Sequence, residues 1–358
     1  MTEKSFVAKL FRREPVAVVS KKEEDVADKD PRHPGAHARG GMTESQAIVS
    51  AQRRVAFDII KQIGMNVLRG KDLLYVTFPA KCSEPTTVLQ NLAKTLSYSD
   101  HFLVAAGKSS DPVERLARMA AVNIAGLHLT SGARKPLNPT IGETYQAVVG
   151  ETSQLYIEQA SHHPPITAFQ VRGEGFKMHG DLCFSAKFGV NELRLINKGL
   201  RTVEFDDGSS ITVRMPRDLF NNVMMGVYRH DIYGAMELED AMNGLSCEIV
   251  FGKNRNLPSD YFRGQILKNG EEAGIIEGSW LSCLDYNGRR IWNVQDSLNG
   301  KLVLSKPSHD PLPTDSRHRG DVIAMTAGDM AGAEEKKKII EESQRRDRKL
   351  RSSKHCLV

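Results

Sequence analysis

The chain has 358 residues, of which 40% are hydrophobic, 26% charged and 6% aromatic, and its formal net charge is +5. This composition is typical of a globular protein and excludes disorder along the full length. At roughly 150 residues per domain, the length predicts about two domains, or one large domain with tails. We expect neither a transmembrane helix nor a secretory signal, because the sequence has no apolar run of about 18 residues and no long apolar segment near its N-terminus.

The five cysteines are widely scattered and form no C-x-x-C pair. Their odd number and spacing argue against a disulfide framework or a zinc ribbon, and they predict a reducing, cytoplasmic location. The net positive charge favours anionic partners, but it does not distinguish nucleic acid from a lipid surface.

The first 41 residues are predicted to form a disordered tail, because they combine a charge cluster with prolines and glycines and few apolar residues. Near the start, four apolar residues share one helical face, which also fits a short membrane-contacting helix: Phe6, Val7, Leu10 and Phe11. Helical periodicity then runs from Thr43, a candidate N-cap, to about Arg69. Two further helices are predicted over 86–98 and 112–129, the second with Asp111 as N-cap and Pro112 at N1.

The pattern changes after Arg134 to short alternating segments separated by turns. Asp207-Gly208, Asn269-Gly270 and Asn287-Gly288 each separate two such segments, and these dipeptides supply the positive φ angles of tight hairpins. Repeated hairpins predict a large antiparallel sheet, mainly within 135–306, that is able to curl or close. Strict alternation of strands and helices is absent, which excludes a Rossmann or TIM arrangement.

The C-terminal region is predicted to form a charged helix over 329–350, followed by a short tail over 352–358. Only Ile339, Ile340 and Leu350 are strongly apolar in this stretch. Such a polar helix cannot be a core element, so one face must meet solvent or an anion.

Known catalytic and metal-binding signatures are missing. Gly107-Lys108-Ser109 resembles the end of a P-loop, but Phe102 stands where that motif requires glycine. There is no G-x-S-x-G, no H-E-x-x-H and no nucleic-acid-binding signature, and the adjacent pair His162-His163 lacks further ligands nearby. We therefore expect no enzyme activity, no metal, no cofactor and no nucleic-acid partner.

Two segments place polar side chains on a backbone stiffened by proline: 135–145, which contains Lys135 and Asn138, and 158–168, which contains His162 and His163. A lysine charge, amide donors and imidazole donors together suit a phosphorylated headgroup. Taken singly, each segment also fits a structural turn with buried, hydrogen-bonded histidines.

Together the two segments resemble the oxysterol-binding protein family. Residues 158–168 match its signature E-Q-x-S-H-H-P-P-x-x-A, and residues 135–139 and 142–145 are similar to its K-P-x-N-P and G-E-T-Y. Stretches near 78–90 and 311–329 are also similar, so the resemblance covers about 58–348. Arg319-Gly320 stands where the family commonly has proline, a departure that we expect to have little consequence for the site.

The resemblance implies an α+β, mainly β fold, in which a large, nearly closed antiparallel β-barrel surrounds an apolar lipid tunnel, with N-terminal helices and a lid. The lipid-binding domain would span 42–351, with 42–70 as a candidate lid helix. A phosphoinositide headgroup would be held by Lys135, Asn138, His162, His163, Lys337, Glu341 and Arg345. The last three are four residues apart and therefore share one helical face. Candidate lid or tunnel residues are Ile48, Phe57, Ile60 and Ile63, because Trp280 and Trp292 are the only tryptophans and no tryptophan-containing lid is available.

The function that this resemblance implies is lipid transfer, in which phosphatidylinositol 4-phosphate is exchanged for a sterol or phosphatidylserine between membranes. The expected partners are these lipids and anionic membranes, which the protein would contact peripherally and transiently. A lipid-gated sensor or adaptor would bind the same lipid without net transport, and a histidine-dependent lipid hydrolase would convert it. Liposome transfer and mass spectrometry of the recovered ligand distinguish the three.

Overall fold

A computed structural model describes residues 31–63, 78–299 and 302–354. The helices in these ranges are α1 (Gln46–Ile63), α2 (Val88–Thr95), α3 (Ser99–Lys108), α4 (Pro112–Ala125), α5 (Gln295–Leu298), α6 (Gly320–Thr326) and α7 (Met330–Lys354). No helix in the described part of the chain has both the length and the apolar character needed to cross a membrane.

Strands form most of the molecule. They are β1 (Ser83–Thr87), β2 (Lys135–Leu137), β3 (Thr144–Val149), β4 (Ser153–His162), β5 (Pro165–Gly173), β6 (Phe176–Phe188), β7 (Glu192–Asn197), β8 (Leu200–Phe205), β9 (Ser210–Arg214), β10 (Arg217–Asn221), β11 (Arg229–Asp240), β12 (Leu245–Phe251), β13 (Tyr261–Lys268), β14 (Glu271–Ser279), β15 (Cys283–Tyr286), β16 (Arg289–Asn293) and β17 (Leu304–Ser305). All except β1 and β2 belong to one antiparallel sheet, and those two form a separate parallel pair. The predicted α+β, mainly β class is confirmed.

The sheet is a meander in which strands adjacent in the chain are hydrogen-bonded neighbours. The long strand β6 pairs with β8 along its first half and with β7 along its second half, and β11 pairs with β10 and β9 in the same way. β7 and β8 are therefore two parts of one long strand that is interrupted once. β9 and β10 are related in the same way. Pro216 lies at the second interruption, where it cannot donate a backbone hydrogen bond to the ladder.

The three helices α2 to α4 pack against the sheet, which curls around them. The helix α4 is apolar on nearly all sides, with an unbroken buried run from Met119 to Ala125. It contacts β11, β14 and β16, whereas the adjoining α3 contacts β5 and β6. The two halves of the sheet thus meet the same helical layer. The outer strands β16 and β17 do not pair with each other, so the predicted near-closed barrel is a curled sheet with two free edges in the described ranges.

The predicted hairpins are present at Asp207-Gly208, Asn269-Gly270 and Asn287-Gly288, where β8 pairs with β9, β13 with β14 and β15 with β16. The N-cap at Asp111 is also confirmed, because its side chain accepts a hydrogen bond from the Val113 backbone N–H at 2.9 Å. The prediction that Thr43 is the N-cap of the first helix was wrong, because α1 begins at Gln46. The predicted helix over 86–98 is shorter, and a separate helix, α3, follows it.

The predicted tail of 41 residues needs a correction at its C-terminal end. Arg32 donates to Asp260 at 2.6 Å, and Met42 exchanges two backbone hydrogen bonds with His230, each 2.8 Å long. Gly40 and Gly41 have φ angles of 93° and 74°, and a Cβ on Gly40 would lie 2.0 Å from the Ser259 nitrogen. The glycines therefore form a tight turn against the sheet, rather than a flexible linker. Residues 1–30, including the predicted apolar face near Phe6, lie outside the described residues.

Candidate functional site

The Lys-Pro-Leu-Asn-Pro segment is held in place by a small second core. Its first three residues form β2, whose Leu137 is 1% exposed. This side chain packs with apolar residues of the segment before β1 and of α6 and α7: Ala80, Val322, Ala324, Met325 and Ala333. With Leu137 anchored inward, the next side chain, Asn138, is directed outward and is exposed, whereas Lys135, two positions before Leu137, is half-buried. The Lys135 Nζ donates to Asn138 Oδ1 at 3.0 Å and lies 5.2 Å from the centre of the Phe78 ring.

The two histidines occupy the hairpin between β4 and β5. His162 pairs with Pro165, which leaves His163 and Pro164 as the loop, joined by a cis peptide bond. A β-bulge between Gln159 and Ser161 precedes the turn and changes the direction in which the following side chains point. The histidine rings lie 4.5 Å apart, centre to centre.

Buried Gln159 stabilises this bulge and links it to the first segment. Its amide donates to the Ser161 carbonyl at 2.5 Å and accepts from the Thr167 hydroxyl at 2.6 Å. Its backbone N–H donates to the Glu143 carbonyl, and its own carbonyl accepts from the Gly142 N–H, both at 2.9 Å. The two sequence motifs are therefore adjacent in space because their backbones are hydrogen-bonded.

The polar helix α7 is fixed at its N-terminal end by a few buried contacts. Ala333 is fully buried in the second core, and the Glu334 carboxylate accepts from the Ala80 backbone N–H at 2.6 Å. Beyond this anchor, Glu341 bonds to Lys337 at 2.5 Å and to Arg345 at 3.4 Å. The carboxylate thus holds two cations along one face of the helix.

All seven predicted headgroup residues line one pocket, which has a volume of about 620 Å³. They come from three segments: Lys135 and Asn138, then His162 and His163, then three residues of α7. The lining residues outside this predicted set are Phe78, Ser83, Leu137, Pro164, Arg319, Ile340, Gln344 and Arg348. We call this cavity the mouth pocket.

The mouth pocket is strongly cationic. Five of its lining residues are basic and one is acidic, and of the five cations Arg319 is paired with two carboxylates behind the lining, Glu143 and Asp321. Burial and the nearby charge of Lys337 lower the pKa of Lys135 to about 8. Burial also lowers the pKa of His162 and of His163, and the neighbouring cation Arg348 adds to both effects. A neighbouring positive charge contributes to each of these shifts, and an anionic ligand would offset that contribution.

Arg319 has a larger part in the site than the sequence indicated. Its guanidinium is paired with Glu143 at 2.9 Å and Asp321 at 2.6 Å, and it donates to the Asn138 carbonyl at 2.8 Å. Both carboxylates are almost fully buried. Glu143 also accepts from the Thr140 backbone N–H at 2.9 Å. Arg319 therefore fixes the loop that carries Asn138.

A second cavity of about 360 Å³ lies between α2, the start of β2 and strands β6, β7, β10 and β11. Most of its wall is apolar, with Leu92, Leu182, Phe184, Leu193 and Leu195 among the lining residues. It shares Phe78, Lys135 and Asn138 with the mouth pocket. An apolar chamber therefore adjoins a cationic opening, which is an arrangement that suits an amphiphile with an anionic end.

The structure describes the side chains of two of the four lid or tunnel candidates, Ile48 and Phe57. Ile48 is half-buried in α1, and Phe57 is 48% exposed, so Phe57 is not a core residue. Neither lines the apolar cavity. The side chains of Ile60 and Ile63 lie outside the described residues. Trp280 and Trp292 are buried in the main core at 0% and 3% exposure.

The curled meander and its helical layer define the class of fold. The structure superposes on the crystal structure of the Osh1 ORD domain in complex with cholesterol with a TM-score of 0.71, at 22% identity, covering 95% of this chain and 90% of that one. It superposes on Osh3 ORD in complex with PI(4)P from Saccharomyces cerevisiae with a TM-score of 0.69, at 24% identity, covering 90% and 89%. At these identities, the likeness shows the shared fold.

Comparison of the sequence with known protein families identifies the family. The family model described as Oxysterol-binding protein matches residues 62–356, and the chain belongs to this family. It is 29% identical to Oxysterol-binding protein 9 of Dictyostelium discoideum over 354 residues, which cover 91% of this chain and 82% of that protein. Other matching relatives, from Arabidopsis thaliana, Homo sapiens and Mus musculus, are longer, and the chain spans 37% to 63% of their length.

Proposed function

We propose that this protein is a lipid transfer protein, which binds phosphatidylinositol 4-phosphate and exchanges it for a second lipid, a sterol or phosphatidylserine, between membranes. One observation carries the proposal: cationic and amide side chains from three distant segments converge on a mouth pocket that adjoins an apolar cavity. The pocket suits a phosphorylated headgroup, and the cavity suits the apolar body of the same lipid.

In the proposed complex, the phosphate is bound by the cations of the mouth pocket. Lys135 and Lys337 both line the pocket and would supply point charges to the phosphate, and Arg345 offers a planar pair of donors. The amide of Asn138 and the two imidazoles donate further hydrogen bonds to phosphate or inositol oxygens. Glu341 orients its two cations and accepts from inositol hydroxyls. The prolines of both loops reduce the entropy lost on binding.

The lipid body accounts for the remaining affinity. Moving several hundred Å² of apolar surface out of water contributes several kcal/mol at about 25 cal/mol per Å². The complexes of related ORD domains support both halves of the exchange, since one of those crystal structures holds cholesterol and another holds PI(4)P. The basic residues near the mouth would draw the protein to an anionic membrane, where it would dock peripherally and transiently.

The test is extraction of phosphatidylinositol 4-phosphate from liposomes by the purified protein. We expect His162→Ala combined with His163→Ala to reduce affinity by at least about a hundredfold, because two hydrogen bonds to a charged group are lost. The matched control combines His101→Ala with His179→Ala, which removes two histidines outside the mouth pocket, one exposed and one half-buried. Undiminished extraction by the first double variant, with its circular dichroism unchanged, would refute the site.

Transport needs its own measurement, because a lipid-gated adaptor would share the binding site. Donor liposomes carrying the phosphoinositide and acceptor liposomes carrying a sterol or phosphatidylserine are mixed, and both lipids are followed over time. We expect counter-movement of the two lipids at catalytic amounts of protein. Stoichiometric extraction with no counter-movement would instead identify a sensor or adaptor.

A further inference from the structure

Arg201 is a buried cation that the proposed exchange of lipids does not use. It belongs to β8, and its side chain lines the apolar cavity but not the mouth pocket. The residue is only 5% exposed. Its Nη1 donates to the Asn123 Oδ1 at 2.6 Å, whereas its buried Nε has no hydrogen-bond partner among the described residues.

The position of Arg201 in the sheet explains why no carboxylate reaches it. Arg201 pairs directly with Gly180 on β6, so both residues face the inner side of the sheet. The acidic residue Asp181, one position further along, points to the opposite face and accepts from the Leu200 backbone N–H at 3.3 Å. Within the described chain, burial is the single cause that shifts the pKa of Arg201, to about 10. The guanidinium is therefore charged at neutral pH, and no carboxylate of the described residues forms an ion pair with it. Asp218, the acidic residue in the cavity lining, is hydrogen-bonded to His230 at 2.9 Å instead.

A buried arginine without a counter-charge lowers the stability of the folded protein. A buried charge costs several kcal/mol unless it is paired, and one neutral amide partner compensates little of that cost. The Phe169 ring lies 5.9 Å away, near the outer limit for a cation–π contact. A tie between α4 and β8 through Asn123 requires a hydrogen-bond donor but not a charge. The positive charge itself thus needs an explanation.

We propose that Arg201 and Asn123 form an anion-binding subsite inside the cavity, which takes the carboxylate of a long apolar acid. The proposal rests on the proposed use of the cavity as a lipid-holding chamber, and it names the chemical class of one occupant. The guanidinium presents parallel N–H donors that match the two oxygens of a carboxylate. The apolar wall then covers the hydrocarbon part. A fatty acid and a steroid carboxylic acid both have this chemistry.

The subsite differs from the mouth pocket in what it would recognise. The mouth pocket is cationic and open, and it suits a large, multiply charged headgroup, whereas Arg201 lies in an apolar wall and offers one buried charge. A ligand whose buried end is neutral leaves that charge unpaired. The cavity should therefore prefer an acid to its own ester, even though the ester is the more hydrophobic of the two.

The first experiment compares cis-parinaric acid with its methyl ester in fluorescence titrations of the full chain at pH 8. We expect the acid to bind about tenfold to a hundredfold more tightly, from one charge-assisted interaction in a dry site. A steroid carboxylic acid and its methyl ester are titrated in parallel, and the pair with the larger ratio identifies the apolar body. Equal affinity of acid and ester in both pairs overturns the proposal.

Variants test whether Arg201 is responsible for this preference. Arg201→Gln removes the charge and keeps a polar side chain at this position, so the ratio of acid to ester affinity should fall to about one. Asn123→Asp supplies a carboxylate from the protein and should abolish the preference in a second, independent way. Arg115→Gln is the matched control, because Arg115 is also buried but is paired with Asp207 outside the cavity lining. A preference that survives both cavity variants overturns the proposal.

Extraction of phosphatidylinositol 4-phosphate by the same wild-type preparation separates this proposal from the proposed function. Normal extraction with no preference for the acid overturns the Arg201 subsite alone. Failure to bind the phosphoinositide, the acids and the esters overturns the lipid-holding role of the cavity. If Arg201→Gln does not fold, Asn123→Asp still tests the assignment, because an acid held by the cationic mouth pocket would keep its preference in that variant.

Discussion

Lys135 is expected to make phosphoinositide binding depend on pH in a range where few other groups titrate. Burial and the charge of Lys337 lower its pKa to about 8. An anionic headgroup favours the protonated lysine, so affinity should be full below pH 7 and fall as the pH rises through 8. The protonated fraction drops from about 90% at pH 7 to about 10% at pH 9, which predicts a roughly tenfold loss of affinity.

The choice of this window isolates the lysine from the other ionisable groups of the complex. A phosphate monoester has its second pKa at about 6, so it keeps its double negative charge above pH 7. In the ligand-free protein, burial lowers the pKa of His162 and of His163 and raises the pKa of the Cys82 thiol, which moves these titrations away from this window. The assay is extraction from zwitterionic liposomes that contain a small fraction of the phosphoinositide, at constant ionic strength and at pH 7, 8 and 9.

The matched variant is Lys135→Arg, which keeps the positive charge throughout this range because guanidinium does not deprotonate. Its affinity should be nearly constant from pH 7 to pH 9. A wild-type affinity that does not change over these two pH units would contradict the assigned contact between Lys135 and the phosphate. An equal slope in the arginine variant would attribute the effect to some other group.

Two further predictions concern stability. Arg319→Met leaves the buried carboxylates of Glu143 and Asp321 without their cation, and it should lower the free energy of unfolding by about 3–5 kcal/mol in urea titrations. Arg319→Lys should lose less, and a loss below about 1 kcal/mol for the methionine variant would contradict the network. Gly126→Ala would place a Cβ 2.3 Å from the Thr95 carbonyl oxygen and should cost about 1–3 kcal/mol in thermal unfolding. Gly132→Ala, where the nearest atoms are 3.9 Å away, is the control, and equal effects of the two alanines would contradict the steric account.

The sequence predicted some of the strands with one buried and one more exposed face, but it missed others, such as β12, whose burial also alternates. In β8, for example, burial alternates residue by residue towards the turn at Asp207-Gly208. β7 was missed because all but one of its residues are half-buried and no alternation is visible. Two of them, Leu193 and Leu195, line the cavity, so their apolar side chains face a chamber rather than the packed core. A cavity wall thus removes the pattern by which strands are recognised.

The site residues were predictable to the extent that they lie in contiguous motifs. The role of Arg319 could not be predicted, because it depends on contacts with Glu143 and with the Asn138 carbonyl. Folding alone brings these groups close to Arg319. Arg201 did have a signal in the sequence. It shares the period-2 register of Val203 and Phe205, which both face the core, and a cation in that register indicates either a buried ion pair or a ligand.

In the proposed exchange, the two cavities impose competition by geometry alone. The mouth pocket and the apolar cavity share the side chains of Phe78, Lys135 and Asn138, so a lipid bound by its headgroup leads its body into the same chamber that a second lipid needs. Two ligands of one chamber exclude each other without any coupling through a distant conformational change. Which lipid is bound at a given membrane then depends on the ratio of its local concentration to its dissociation constant. The protein fixes the dissociation constants, and the membranes fix the direction of net transport.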